Sequence, residues 1–354
     1  MAIKINGKDL AKRIINWQEV EKVMLNWAEI RPNSTPPVFN DYLCFTANQS
    51  NSTLKLTYGK SSGSAYHTMP HYFEISDDGV YWVDYNPNRL WSWVTITLNN
   101  VWDKVYIRNK SETPVTFGTL PYRYKFEMSG SIAASWDISS LLCRSGSTTI
   151  PWGYFRQLFN MCTALTSVPK LPFATLTNYC YERMFSWCTN LTTAPALPAT
   201  TVANYAYNEM FSGCTALTSA PQLPATTLWA WCYRGMFSGC TNITQTPSLP
   251  ATTLTTSCYE EMFSYSGVTT LPELPATTMA NTCYLLMFRN CWNIKLSETQ
   301  TWDYQTEFRI PSAWTGDESS ASNPFTNMFA GTWWTFTGTP TINTTYYTSN
   351  TIIS

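Results

Sequence analysis

The stretch Tyr207–Leu228, YNEMFSGCTALTSAPQLPATTL, is a variant of a phrase the chain repeats. Tyr181–Val202 reads YERMFSWCTNLTTAPALPATTV, and Tyr233–Leu254 reads YRGMFSGCTNITQTPSLPATTL. Phe159, Phe185, Phe211, Phe237 and Phe263 stand 26 residues apart, and Phe288 follows after 25. Met184, Met210, Met236, Met262 and Met287 precede five of them, with Leu158 before the first. Cys162, Cys188, Cys214, Cys240 and Cys291 form a second register, interrupted at Ser266. Cys180, Cys232, Cys258 and Cys283 form a third, with Ala206 as its exception. Leu-Pro recurs at Leu171-Pro172, Leu197-Pro198, Leu223-Pro224, Leu249-Pro250 and Leu274-Pro275.

Self-similarity at this period means stacked coils, because one unit cannot bury its own apolar side. Twenty-six residues are too few for a four-stranded propeller blade. They suit one coil made of a short parallel strand and a helical or 3₁₀ return. The strand is expected around Leu217–Pro224, with short, interrupted ladders because proline cannot donate to a ladder. Thr226 is a candidate cap for a helical return. Leu228, Cys232, Tyr233, Met236 and Phe237 then fall at helical spacing. Stacking would set Phe on Phe, Met on Met and Cys on Cys along one axis. A regular row with one cysteine per coil does not make a tetrahedral cluster, and no Cys-x₂₋₄-Cys spacing occurs. The thiols therefore read as small buried core groups.

These units resemble the BspA-type group of leucine-rich repeats, with a Phe, a following Cys and then a Leu-containing strand. The Ala-Thr-Thr form is similar to repeats of gut Bacteroidetes proteins and of phages that infect them. The resemblance covers about residues 150–297. The opening KINGKDLAKRIINWQEVEKVMLNWAEIRP is similar to N-terminal segments of phage tail and fibre proteins. The middle, from YFEISDDGVYWVDYN to YKFEMSGSIAASWDISSLL, resembles the β-rich module that often precedes such repeats. The resemblance implies a surface-displayed or virion-displayed binding protein and no particular chemistry.

Outside the repeats, Leu54-Leu56-Tyr58, Tyr72-Glu74, Val94-Ile96-Leu98 and Lys104–Ile107 show strand signals, with a turn at Asp77-Asp78-Gly79. Such alternation indicates an antiparallel sandwich. The expected fold is mainly β with short helices: a leucine-rich-repeat solenoid of 26-residue units preceded by a β-sandwich-like domain. Four parts follow: a virion-docking segment (1–35), the sandwich-like domain (36–142), the solenoid (143–297) and a C-terminal cap (298–354).

The 354 residues carry a net charge of −1, with only 13% charged. That argues against nucleic acid as a partner, since such proteins show a basic patch. No run of 18 apolar residues exists, so no membrane insertion is expected. MAIKINGKDLAKRIIN has no apolar core of the secretory kind, so synthesis in a cytoplasm with reduced thiols is expected. Only His67 and His71 are histidines, and Pro70 between them argues against a helix-borne metal pair. No phosphate loop, nucleophile elbow or Cys–His couple is present. Glu182, Glu209, Glu260 and Glu261 recur near one position of the units and read as a solvated face. No catalytic residue, metal or cofactor is expected. The candidate binding row lies between Pro and Leu-Pro, where Lys170, Ala196, Gln222, Ser248 and Glu273 change identity among constant neighbours.

Trp187 takes the place of Gly213 and Gly239. Trp17, Trp27, Trp102, Trp333 and Trp334 likewise stand where turns would favour glycine, at positive φ. Two explanations stay open here: exposed contact residues, or a recoded UGA codon read as glycine. The functional expectation is a non-enzymatic phage virion protein, a fibre or decoration protein. It would join other virion proteins through its N-terminal segment and meet a host surface glycan or protein. A homo-oligomer in the virion is expected. The alternatives are a bacterial surface adhesin and, without a convergent carboxylate pair, a glycan-active enzyme.

Overall fold

A computed structural model describes residues 4–5, 8–9, 42–60, 73–85, 94–111, 122–144, 147–269, 272, 274–294, 324, 327–328 and 330–332. In chain order the strands are β1 (Lys4–Ile5), β2 (Lys8–Asp9), β3 (Leu43–Ala47), β4 (Ser52–Lys60), β5 (Phe73–Ser76), β6 (Val83–Asp84) and β7 (Ile96–Leu98). They continue with β8 (Lys104–Asn109), β9 (Tyr122–Ser129), β10 (Ile132–Ser135), β11 (Leu165–Ser167), β12 (Thr201–Val202) and β13 (Thr227–Leu228). The protein is mainly β. Among the described residues the one helical element is a 3₁₀ turn, Ile138–Leu141, capped by the Asp137 carboxylate at the Ser139 N–H.

Two sheets form first. One has the order β2-β1-β7-β4-β9 and the other β11-β10-β3-β8-β5-β6. β4 and β9 pair antiparallel from Thr53↔Ser129 to Lys60↔Tyr122. Alternation sends Leu54 and Leu56 inward from one sheet, and Leu43, Phe45, Ile75, Val105 and Ile107 inward from the other. The expected turn after β5 is an Asx turn: Asp78 Oδ1 accepts the N–H groups of Val80 (2.7 Å) and Tyr81 (2.9 Å). Gly130 has φ +81° and sits against Ser52, whose Oγ a β-carbon would meet at 2.5 Å. Only glycine fits that turn between β9 and β10.

From residue 151 the backbone departs from the expectation of a helical return. In residues 151–162, alternate amides bond to different partners. Leu158 donates to Phe155 O (3.2 Å) and Asn160 to Gln157 O (3.1 Å), as in successive β-turns. Between them, Gln157 donates to Glu182 O (2.8 Å), Phe159 to Met184 O (2.9 Å) and Met161 to Ser186 O (2.8 Å). The same bonds recur one unit on, for example Phe185 to Met210 O and Phe211 to Met236 O. An α-helix would use i−4 carbonyls throughout. Here half the amides tie one unit to the next. Every fourth residue is left-handed: Tyr179, Arg183 and Trp187 (φ 61°, 52° and 61°), then Tyr205, Glu209 and Gly213 (55°, 51° and 74°). That four-residue period explains the misreading. Tyr207, Met210, Phe211 and Cys214 point inward at i, i+3, i+4 and i+7, a pattern a ribbon of turns shares with a helix.

The second correction concerns the strand expected at Leu217–Pro224. No bridge forms there. In the first unit the equivalent segment does form a parallel strand, β11 against β10; in the later units the parallel ladder lies after the second proline, at β12–β13 and at the bridges Thr175↔Thr201 and Thr253↔Thr278. Pro221 and Pro224 remove donors from the first segment, and Thr226-Thr227 restores them.

Inside the units, like residues stack. Phe159, Phe185, Phe211, Phe237, Phe263 and Phe288 follow one another at ring centroids of 5.5, 5.6, 5.8, 5.6 and 5.7 Å. Tyr181, Tyr207, Tyr233, Tyr259 and Tyr284 form a parallel buried column at 5.9, 5.6, 5.9 and 5.8 Å. The two sheets and the stack share one core. Phe126 of β9 stacks on Phe159 at 5.1 Å and donates its N–H to Leu158 O. β10 pairs in parallel with β11. At the other end, Phe288 donates to Met328 O and Asn290 to Ala330 O, so Met328 continues the methionine column.

Candidate functional site

Four outward features lie on the stacked units. The first is the row chosen from sequence. Residues 195–200 alternate buried and exposed, which turns Ala196, Pro198 and Thr200 outward. Lys170, Ala196, Gln222 and Ser248 are all exposed at equivalent positions, and Glu273 lies outside the described residues. Lys170 also ties the row to the segment after β10: its N–H donates to Trp136 O (2.7 Å), and its backbone forms a parallel bridge with Asp137.

The second feature corrects the reading of the glutamates as a solvated face. Arg156 pairs with Glu182, which is buried. Arg183 makes a two-pronged contact to Glu209, with Nε to Oε2 at 2.9 Å and Nη2 to Oε1 at 2.8 Å. Arg234 reaches Glu209 (3.4 Å), Glu260 (3.0 Å) and Glu261 (3.2 Å). A readable signal for this ladder was present: Glu182, Glu209 and Glu260 each stand one repeat after an arginine. The hydrogen bond to Glu209 raises the Arg183 pKa further. Paired in this way, the carboxylates are held as counter-ions rather than presented as an acid–base couple.

The third feature is an aromatic ladder four residues before the charged one. Trp152 meets Tyr179 edge-on at 5.3 Å, Tyr179 stacks on Tyr205 at 4.7 Å, and Tyr205 stacks on Trp231 at 5.0 Å. Arg156 lies over Tyr179 at 5.6 Å. The ladder gives way to hydroxyls at Ser257 and Thr282, whose oxygens are 2.7 Å apart.

The fourth feature is the column Met161, Trp187, Gly213, Gly239, Tyr265 and Asn290. Trp187 is left-handed, as its alignment with glycines implies, and 56% exposed. Its indole lies where a side chain of residue 213 would stand: a β-carbon on Gly213 would come within 2.8 Å of Trp187 Cδ2. Trp102 also has positive φ, 73°. Trp17, Trp27, Trp333 and Trp334 lie outside the described residues, as do His67 and His71.

The cysteines have a defined role in the stack. Cys188 Sγ donates to Phe159 O (3.1 Å), Cys214 to Phe185 O (3.0 Å), Cys240 to Phe211 O (3.1 Å) and Cys291 to Phe263 O (2.9 Å). Each thiol thus bonds to the carbonyl of the preceding phenylalanine rung. Burial pushes Cys162, Cys180, Cys214 and Cys258 up to about 12 and Cys291 up to about 11, so they stay protonated and poorly nucleophilic. Among the described residues no three His, Cys, Asp or Glu groups gather to hold a metal ion, and no helix is long and apolar enough to cross a membrane.

No family model matches the chain, and neither does any curated protein or solved structure compared with it.

Proposed function

We propose that the chain is a non-enzymatic attachment protein of a phage virion, a fibre or decoration protein built on a leucine-rich-repeat solenoid of the BspA type. One observation carries this reading: Lys170, Ala196, Gln222 and Ser248 differ in chemistry yet share one exposed register over a core of near-identical rungs. Repeat proteins bind partners on such faces, because side chains there vary without cost to the stack. In this reading residues 1–35 join another virion protein, the sandwich seats the first coil, and the repeats meet a host surface glycan or protein. The working form is a homo-oligomer.

Two measurements test it. Purified full-length chain added to host cells before the phage should compete with particles and lower adsorption. Unchanged adsorption contradicts attachment. Particles assembled with a chain lacking residues 1–35 should fail to carry it; normal incorporation contradicts the docking role.

A further inference from the structure

The described arginines of the stack follow one rule, with one exception. Arg156, Arg183 and Arg234 each meet a glutamate of the following unit. Arg289 makes no ion pair with any described residue; its guanidinium carbon lies 5.6 Å from the centroid of the Tyr265 ring instead. The sequence explains the exception. The sixth unit carries Leu285 and Leu286 where the fifth carries Glu260 and Glu261, so the charged ladder ends there. Arg289 stands further along, in a column whose earlier members are Asn160, Ser186, Ser212, Ser238 and Ser264. The following unit offers Ala330 at the equivalent place, because Asn290 donates to Ala330 O as Tyr265 donates to Arg289 O. Neither column neighbour, Ser264 or Ala330, can supply a countercharge. The base of the side chain is fixed, since Arg289 O accepts the Tyr265 N–H (2.7 Å) and the Ser264 Oγ (3.4 Å). Tyr265 is 48% exposed, and Arg289 is half-buried. A guanidinium held beside an exposed ring, with no internal partner, is a planar fork of donors already part-ordered for an anion.

We propose that Arg289 and Tyr265 bind the carboxylate of an acidic sugar in a surface glycan. A carboxylate matches the guanidinium fork with two parallel N–H···O bonds. The exposed ring beside it offers an apolar surface to the C–H groups of the sugar. One cation suits one carboxylate per sugar, whereas a run of acidic side chains calls for several. The basic residue that precedes Arg289 in the chain, Arg234, is already held by Glu209, Glu260 and Glu261. The inference narrows the attachment reading, on which it rests for the biological partner; the charge argument stands without it.

The test uses the full-length chain, titrated with trigalacturonate, sialyllactose, lactose and triglutamate and followed by saturation-transfer NMR and calorimetry. At least one of the two acidic sugars should bind, more weakly as salt rises, and lactose should give no saturable response. Arg289→Gln should weaken the acidic sugar about tenfold or more, the scale of a lost charge-assisted hydrogen bond. Tyr265→Ser should weaken it about three- to tenfold, the scale of one lost ring contact. Arg289 leaves no glutamate unpaired when it is replaced, so Arg289→Gln should melt with the wild type. No saturable response to either acidic sugar overturns the proposal, as does unchanged affinity in Arg289→Gln. Triglutamate bound as tightly as the sugars would give the site to an acidic peptide and overturn the glycan. Competition of the chain with phage for host cells is read separately. Sugar bound without competition would leave the site standing and remove the attachment reading. Competition lost in Arg289→Gln without any sugar response would overturn the sugar and keep the attachment reading.

Discussion

Four phenylalanines of the repeat, Phe159, Phe185, Phe211 and Phe263, serve their neighbours twice. Each ring stacks between two others, and each carbonyl receives a cysteine thiol from a later unit. Phe211→Ala should cost about 3–5 kcal/mol by urea denaturation, the range for truncating a buried aromatic. Gln222→Ala, on the outward row, should stay within about 0.5 kcal/mol. Equal effects at the two positions would contradict the assignment of faces. The thiols give a pH dependence of definite sign. Folding raises Cys162, Cys180, Cys214 and Cys258 from 9.0 to about 12. A raised pKa stabilises the fold fully below pH 9, and that contribution is lost as pH rises toward 12. Each such thiol removes about 1.4 kcal/mol per pH unit across that window. Urea midpoints should therefore fall steeply above pH 9, and less steeply in Cys214→Ser. A flat profile from pH 8 to 11 would contradict buried thiols. The two explanations of Trp187 are separated by the mass of the peptide containing residue 187: a contact residue requires the mass of tryptophan, and the mass of glycine there would establish recoding.

At the scale of the element, the turn ribbon keeps non-glycine residues in the left-handed region at regular intervals. Each costs about 1 kcal/mol, offset by the unit-to-unit bonds that the conformation frees. Gly213→Ala adds a methyl against the Trp187 indole and should destabilise by about 1–2 kcal/mol through overpacking and the positive φ. In the Trp187→Gly background the packing part should vanish, leaving a smaller loss. Additive effects would mean the two positions do not touch. This element also marks how far the sequence could be read. The 26-residue period placed Phe, Met and Cys in their columns, because identical side chains at a fixed step must pile up; it missed the tyrosine column, although Tyr181, Tyr207, Tyr233 and Tyr259 keep the same step. It could not separate a helix from a ribbon of turns, since Tyr207, Met210, Phe211 and Cys214 satisfy both periods. The leucine-containing stretch made a strand only in the first unit, as β11, and Thr-Thr pairs such as Thr226-Thr227 made the ladder afterwards. Of the candidate surface, the outward row was legible from changing identities. The Arg–Glu ladder was missed because its partners lie a whole unit apart and meet only after stacking.

Across the whole molecule, both sheets run into the first repeat unit, through Phe126 on one side and β11 on the other. The sheets thus cover the Phe159 end of the stack, and Met328 continues the other. Removing residues 1–142 should leave a chain that aggregates or lacks a cooperative transition, because Phe155 and Phe159 would face water. A soluble, cooperatively melting fragment of residues 143–354 would show that the stack closes itself. Loss of residues 1–35 is milder in expectation, since it removes β1 and β2 from the edge of β7 and leaves the shared core intact.

The fold depends on like side chains piling along one axis through successive units. A crystal structure resolving ring planes from Phe159 to Phe288 tests this most directly. It should show six near-parallel rings about 5.5–5.8 Å apart, with the Phe159, Phe185, Phe211 and Phe263 carbonyls each met by a cysteine thiol. Phe185, Phe211 and Phe237 directed into separate environments would contradict it.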